Sequence, residues 1–539
     1  MNEKRNSIVI LAKNINMDKE YQNVIDYHEA DLVNLLRGEE HLVIEQNNYS
    51  FIKVGENRIS VQIPYTICLQ ANYMAIQNPY YNNKWFFAFI NNVEYSSDKA
   101  TIINFTVDEI STWWDYFSKN KKSFVVREHV NDDTVGLHTM PEGLETGEYV
   151  TTNVIQDDLG SDLKIIMGST VEVNDDTNIG GGVYNGIPSG VCYYVYDSAG
   201  DYRETDTSKL SGALKMLASH GKSEAVKCVF LAPSWLAPKN AGTVFVANTT
   251  QPVTEYMFVP RITALDGYIP KNKKLLCYPY CGIVLSNSSG QATFYNQELW
   301  ENGDDGMTLV IKGCLTPGCS VRCYPYNYKG IAENYDEGIS LGKYPSLNWQ
   351  TDVYTNWLTQ NGISLGAIKL NADQLGQFNG ISNIGFGLAS LYGGDLSGVA
   401  EIKEGINDLW DNMQEKYKHS FMTPTINGSL NCGDVITSSG INKFFAYSMT
   451  IKEEFAKSID DFFTKFGYKV NSLKVPNFTG REYFNYVQIG KSEIIGLSNN
   501  IINIPESSMD IINAVFRKGT TIWHNHDNIG NYNLNNTII

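Results

Sequence analysis

Three groups of side chains in this chain have the types and spacing to do chemistry. His524-Asn525-His526-Asp527 has the composition of a metal-binding tract, since imidazole nitrogens suit zinc, copper or nickel. Two histidines at i and i+2, followed by Asn-Ile-Gly-Asn, read equally well as a strand end and a polar turn, and no further ligand is marked. Cys277-x3-Cys281 and Cys319-x3-Cys323, with Cys314 nearby, suggest zinc in the same way. The tight two-residue knuckle is missing and the loop lacks histidine. Residues four apart in a strand merely share a face, so buried free thiols are the expectation. Asp132, Asp133, Glu142 and Glu145 would supply the carboxylate pair of a glycoside hydrolase, and Arg127-Glu128-His129 a base dyad. Acidic residues in turns are ordinary, and such clusters are mostly structural or solvated. A GxSxG elbow, an HExxH helix and a Walker loop are absent, and Gly180–Gly182 lack the downstream lysine of a phosphate loop. We therefore expect no catalytic residue, no cofactor and no metal.

The scaffold that must position these residues is expected to be β-rich. With 33 Tyr, 45 Gly and only 19% charged residues, the composition favours strands and turns over helices. At 539 residues the chain is too long for one core, because single cores stop growing near about 250–300 residues. The net charge of -17 repels phosphate and disfavours tight, sequence-independent DNA binding. The same acidity would suit a wall past which DNA slides. The apolar run near Ile8–Ala12 is shorter than a secretion-signal core, and nine scattered cysteines fit assembly in a reducing cytoplasm.

Periodicity gives the elements. Strands are expected near Ser7–Ala12, Leu42–Glu45, Ser50–Val54, Ile59–Val61, Trp85–Ile90, Ala100–Asp108 and Ser123–His129, with a helix at Glu29–Arg37 and another within Val107–Phe117. Met74–Tyr81, ending in Asn78-Pro79, reads as loop, and Asn131–Gly147 as a long ordered loop. Asp206–His220 is a helix with Leu210, Leu214 and Leu217 on one face. The tetrapeptide CYPY occurs at Cys277–Tyr280 and again at Cys323–Tyr326. Thr450-x-x-Glu453 forms a capping box for a helix whose stripe is Phe455, Ile459, Phe462 and Phe466. A last helix near Ser508–Lys518 turns Ile511, Ile512, Val515 and Phe516 inward, and Thr520–Trp523 is a strand.

One segment breaks the β pattern. The twenty-one residues from Gln374 to Gly394 carry no charge, and six are glycine. Leu375, Phe378, Ile381, Ile384, Leu388 and Leu391 fall at helical or near-helical intervals, with Phe386 among them. Ile402, Ile406, Leu409, Trp410 and Met413 then stripe a helix over Val399–Lys418. A helical hairpin packed on its own domain is one reading. A free-standing membrane span, which needs about 20 predominantly apolar residues, is disfavoured by the Gly, Asn, Ser and Gln content.

Two stretches carry a family resemblance. NNKWFFAFI at Asn82–Ile90, leading into SFVVREHVNDDTVGLHTMPEGLETGEYV at Ser123–Val150, resembles the tail-knob, or distal tail-tube, protein of small short-tailed bacteriophages. FFTKFGYKVNSLKVPN at Phe462–Asn477, FNYVQ at Phe484–Gln488 and GTTIWHNHDNIGNYN at Gly519–Asn533 continue it in the same order. The resemblance implies a mainly β, multi-domain, barrel- or sandwich-like subunit with α+β parts that forms a tube and carries an inserted long, apolar, partly helical loop. Its expected organisation is a β tube domain over 1–150, a peripheral α+β module over 151–270, a second β domain over 271–365, the loop over 366–449 and an α/β segment over 450–539. It further implies a virion protein in a hexameric ring at the distal end of a short tail, joined to other tail and collar proteins. Double-stranded DNA passes through without specific binding. By position, the loop role falls on Gln374–Lys418, which would plug the channel and engage the host cell membrane. Two other classes compete with this reading. One is a receptor-binding or wall-degrading tail enzyme acting on glycans, and the other is a cellular β-rich adhesin, disfavoured by the missing export signal.

Overall fold

The computed structural model describes residues 7–350 and 427–539, apart from 50, 51, 56, 80, 81, 117–120, 160, 161, 170–172, 174–182, 185, 186, 189–191, 201–205, 220–224, 238–243, 246–252, 288, 289, 302–305, 316–318, 342, 343, 345, 432–442 and 491–503. The chain forms two compact units, one from Met1–Glu148, Gly267–Tyr280 and Lys452–Ile539, the other from Tyr149–Asp266 and Cys281–Ile451.

The first unit is built on a seven-stranded antiparallel sheet in the order Leu42–Tyr49, Ser7–Ala12, Tyr73–Asn78, Lys84–Ser97, Ala100–Val107, Arg58–Val61, Ile52–Gly55. Its central strands are apolar at consecutive positions because both faces are covered. Ile10, Tyr73, Ala75, Phe87 and Phe89 enter one core, whereas Val9, Leu11, Met74, Ile76 and Ala88 enter another on the opposite face. This double burial explains an element that sequence reading misplaced. Tyr73–Asn78 is a central strand rather than a loop, and its continuous apolar run lacks the alternation expected of a half-exposed strand.

On the first core pack the helix Glu29–Leu36, the helix Glu506–Lys518 and part of a second sheet. That five-stranded sheet runs Asn23–Ile25, Thr520–Trp523, Phe484–Ile489, Ser123–Glu128, Tyr468–Lys474. Asn23–Ile25 lies parallel to Thr520–Trp523, so the two ends of the chain share one sheet. The last helix buries Ser508, Ile512, Asn513 and Phe516. Ile511, expected inside, is 43% exposed, because the buried stripe is centred one residue further on.

Helix Glu453–Phe466 is present, but its N-cap is Lys452 and no side chain caps it. Thr450 belongs instead to the strand Phe445–Ile451, paired with Val150 and Cys281, which removes it from any capping box. The buried stripe of the helix is Ala456, Ile459, Asp460 and Phe463, not the stripe expected from Phe455, Phe462 and Phe466, which are half-buried.

The second unit contains a four-stranded sheet, Tyr149–Gln156, Phe445–Ile451, Cys281–Ser286, Ala292–Tyr295, and a sheet of Val253–Pro260, Gly306–Cys314, Ser320–Tyr328 and Ile331–Glu333, with Ile339–Ser340 also pairing Ser320–Tyr328. The two CYPY tetrapeptides are not structural equivalents. Cys277–Tyr280 follows the short 3-10 helix Lys273–Leu276, while Cys323–Tyr326 lies inside a strand. A six-stranded sheet runs Val244–Phe245, Cys192–Tyr196, Leu163–Ser169, Val226–Pro233, Ser346–Gln350, Asn427–Asn431, and the helix Leu210–Ser219 belongs to the same unit. Its last two strands are antiparallel neighbours, with Gln350 opposite Asn427. The chain therefore enters and leaves 351–426 through adjacent strands of one sheet.

Candidate functional site

The acidic loop Asn131–Gly147 contains no regular element and is held by buried polar contacts within the first unit. The Glu142 side chain has no exposed surface and forms ion pairs with Arg127 and Lys274, whose side chains are 12% and 3% exposed. Its Oε1 also accepts the Lys469 N–H at 2.9 Å. Arg127 donates to the Gly467 carbonyl at 2.7 Å and lies over the Phe462 ring at 4.8 Å. Lys274 sits 5.2 Å from the Tyr468 ring centroid. Burial pulls the Lys274 ammonium down, and Glu142 opposes that by favouring its charged form. One carboxylate thus pairs with two cations in a nearly dry space.

Neighbouring candidates are committed in the same way. Asp133 accepts the Tyr468 hydroxyl at 2.5 Å and the Lys273 N–H at 2.9 Å. Asp132 accepts both N–H and hydroxyl of Thr134, which hold its carboxyl below the usual range, and Glu145 faces solvent. Glu128 is fully buried, accepts the Asn477 N–H at 2.7 Å and pairs with Lys474. His129 accepts the Tyr486 N–H on Nδ1 at 2.8 Å, so its proton is on Nε2, which donates to the Thr464 carbonyl at 3.1 Å. Burial, with the Arg481 charge adding to it, pushes this imidazole down to about 3. A general base needs a free lone pair directed at a substrate proton, and His129 has none. The turn that joins these parts needs glycine: Gly467 has φ +61°, and a Cβ there would lie 2.1 Å from the Glu128 carbonyl oxygen. A cavity of about 410 Å3 beside the loop is bordered by His129, Asp132, Asp133 and Arg481.

Sequence reasoning missed Asp460. It lies on the buried face of helix Glu453–Phe466 and accepts hydrogen bonds from the Tyr268 hydroxyl at 2.7 Å, the Lys271 N–H at 2.8 Å, and Asn272 N–H and Nδ2 at 3.0 and 2.8 Å. The available signal was an acidic residue in register with Ala456, Ile459 and Phe463. Asp460→Ala should lower the stability of this unit by about 3 kcal/mol, because four donors, the two on Asn272 fully buried, lose their acceptor at once. Tyr268→Phe should lower it by only about 1 kcal/mol. Denaturant titration followed by hydrogen exchange at Lys271 and Asn272 checks both values.

The remaining candidates do not converge. His524 Nε2 contacts Asn485 Oδ1 at 2.9 Å, whereas His526 is buried elsewhere, against His41. Cys277 falls in the first unit, and Cys281, Cys319 and Cys323 in the second. All four are buried and none is in a disulfide, and burial raises the Cys323 thiol well above its ordinary value. Among the described residues no three His, Cys, Asp or Glu side chains are grouped to hold a metal. No helix of the described residues is long and apolar enough to cross a membrane. Leu375, Phe378, Ile381, Ile384, Phe386, Leu388, Leu391, Ile402, Ile406, Leu409, Trp410 and Met413 all lie outside the described residues.

The architecture has counterparts in known proteins. Residues 246–537 match the family described as the C-terminal domain of the tail knob protein gp9 of Bacillus phage phi29. The chain belongs to this tail-knob family. Its residues 5–119 also match the N-terminus of caudoviral major tail proteins. Tail-knob proteins of two Bacillus phages align over nearly the whole chain: gp9 of phi29 is 26% identical and gp9 of PZA 25% identical, each over 92% of this chain and 92% of the relative. The fold is shared with the bacteriophage C1 tail knob protein gp12, at a TM-score of 0.59 and 13% identity over 99% of this chain and 100% of that one. The protein is accordingly a tail-knob protein of short-tailed phages, mainly β, and a component of the phage tail.

Proposed function

We propose that the protein forms a closed hexameric ring, the hollow distal knob through which the genome leaves the virion. The observation that carries this reading is the pairing of Gln350 with Asn427 in a chain that aligns over 92% of its length with a tail-knob protein. A long segment inserted between adjacent strands can move without dismantling the sheet that bears it. The uncharged stretch Gln374–Gly394 and the striped Val399–Lys418 are then the plug of the channel and the part that engages the host membrane. The net charge of -17 keeps passing DNA from sticking. The linear organisation is the one the resemblance implies, with tube parts over 1–150, 271–365 and 450–539 and a peripheral module over 151–270, but the loop expected over 366–449 ends before Asn427, because Asn427–Asn431 and Phe445–Ile451 are strands. The ring would be made in the host cytoplasm and joined to other tail and collar proteins.

Catalysis is not part of this role. The carboxylates and histidine best suited to glycan hydrolysis hold the Asn131–Gly147 loop to its neighbours, which supports a structural assignment. Incubation with purified wall glycans should release no product. Elemental analysis should likewise find no stoichiometric zinc, and one zinc per chain would overturn the reading that neither Cys277–Cys323 nor His524–Asp527 binds metal. Mass measurement in solution tests the assembly: a species six times the monomer mass is expected, because a hollow conduit needs heterologous interfaces whose rotation closes.

A further inference from the structure

The His524–Asp527 tract, unused in the proposed function, contains a buried histidine whose ring nitrogens make no hydrogen bond. His526 is 3% exposed, and neither Nδ1 nor Nε2 is hydrogen-bonded. Its ring meets His41, itself buried, edge to face with centroids 4.9 Å apart. His41 Nδ1 faces the Lys13 carbonyl at 3.2 Å, so it carries the proton and donates it. The contact joins opposite ends of the chain. His41 closes the turn after helix Glu29–Leu36, its N–H bonded to the Gly38 carbonyl. His526 opens the 3-10 turn His526–Asn528 after strand Thr520–Trp523.

We infer that the His41–His526 contact is an acid-sensitive latch between the N-terminal and C-terminal segments of the first unit. The groups facing His526 are His41, the Asp527 carboxylate 3.8 Å away and 80% exposed, and the Tyr27 hydroxyl, which accepts the His526 N–H at 3.4 Å. A proton on His526 therefore places a charge in apolar surroundings with one solvated counter-charge. A second proton on His41 adds like-charge repulsion across 4.9 Å. Burial, then His41, hold His526 below its ordinary value, and Asp527 opposes them. A histidine lowered in the closed state and ordinary in the open state contributes its full stability above about pH 6.5, and that contribution is lost as pH falls below it. The described histidines, His28, His41, His129, His138, His524 and His526, all belong to the first unit. Mild acid is thereby directed at that unit, and His220 and His419 lie outside the described residues.

Hydrogen exchange on the full-length assembled protein at pH 7.5 and 5.5, corrected for intrinsic rates, tests the latch. Peptides spanning 38–42 and 526–531 should lose protection by up to about tenfold per titrating histidine at pH 5.5, while those over Cys281–Ser286 and Phe445–Ile451 hold theirs. In His526→Phe, which keeps the edge-to-face contact but cannot be protonated, the acid-induced loss should shrink by about that factor. His129 also resists protonation, but comparing wild type with the variant at one pH cancels its contribution. Equal protection at both pH values in the wild type would overturn the inference without any variant, and so would an undiminished loss in His526→Phe. If His526→Phe fails to fold, His41→Phe serves as the second arm, with the same expected and contrary results.

Discussion

Glu142→Ala is expected to destabilise the first unit by about 4 kcal/mol, since breaking a buried ion pair by removing one partner leaves charge uncompensated. Here the effect falls on two cations, because Arg127 and Lys274 both pair with this one carboxylate and are almost excluded from water. The Asn131–Gly147 loop would lose its main attachment to strand Tyr468–Lys474 and to Lys273–Leu276. Replacing all three partners by apolar residues, Glu142→Leu with Arg127→Met and Lys274→Met, should recover most of the loss, because the desolvation of three charged groups disappears with the pairing. With two units present, unfolding is not two-state, so the effect must be read on the first unit's own transition or on exchange at Lys469. A change below about 1 kcal/mol would mean that the loop is held by other contacts.

Those contacts show where sequence reading reached and where it stopped. The helices beginning at Glu29 and near Thr450 were legible because one-face burial leaves a helical period, whereas the strands at Ser7–Ala12 and Thr520–Trp523, buried on both faces, were legible as short β-branched and apolar runs. Tyr73–Asn78 was not, since burial on both faces erases the alternation and Pro79 beside it suggested a loop. Asp132, Asp133, Glu142 and Glu145 were recognised as one candidate group and Arg127-Glu128-His129 as another, and the structure brings His129, Asp132 and Asp133 to the border of one cavity and pairs Arg127 with Glu142. Their partners were out of reach. Lys274, Asp460 and Tyr468 lie far from them in sequence, and only long-range packing decides that Glu142 meets two cations rather than a substrate. The placement of Thr450 in a strand turned on the same kind of information, the pairing with Val150 and Cys281.

Removing Gln374–Lys418 and joining the ends with a short Gly/Ser linker should leave a soluble protein that still forms rings, while abolishing leakage from anionic liposomes. Gln350 and Asn427 sit opposite one another, so shortening the connection between them does not ask the sheet to reopen. Loop length itself matters little, as each doubling of length changes closure by only about 0.6 kcal/mol. An ordinary core segment would behave otherwise. Its loss would expose apolar surface at about 25 cal/mol per Å2 and precipitate the subunit. Phe378→Asp with Ile384→Asp should abolish leakage without disturbing assembly, because a charge near the bilayer centre is unfavourable by several kcal/mol. An insoluble deletion, or leakage unchanged by either alteration, would make the segment structural and place the membrane-active element elsewhere.

Electron microscopy of the purified full-length protein beside the loop deletion tests the central claim most directly. The expected result is a closed sixfold ring in both, with density across the axis in the full-length protein and an open axial channel in the deletion. A protein that stays monomeric at high concentration, or a ring whose channel is equally open with and without Gln374–Lys418, would contradict it.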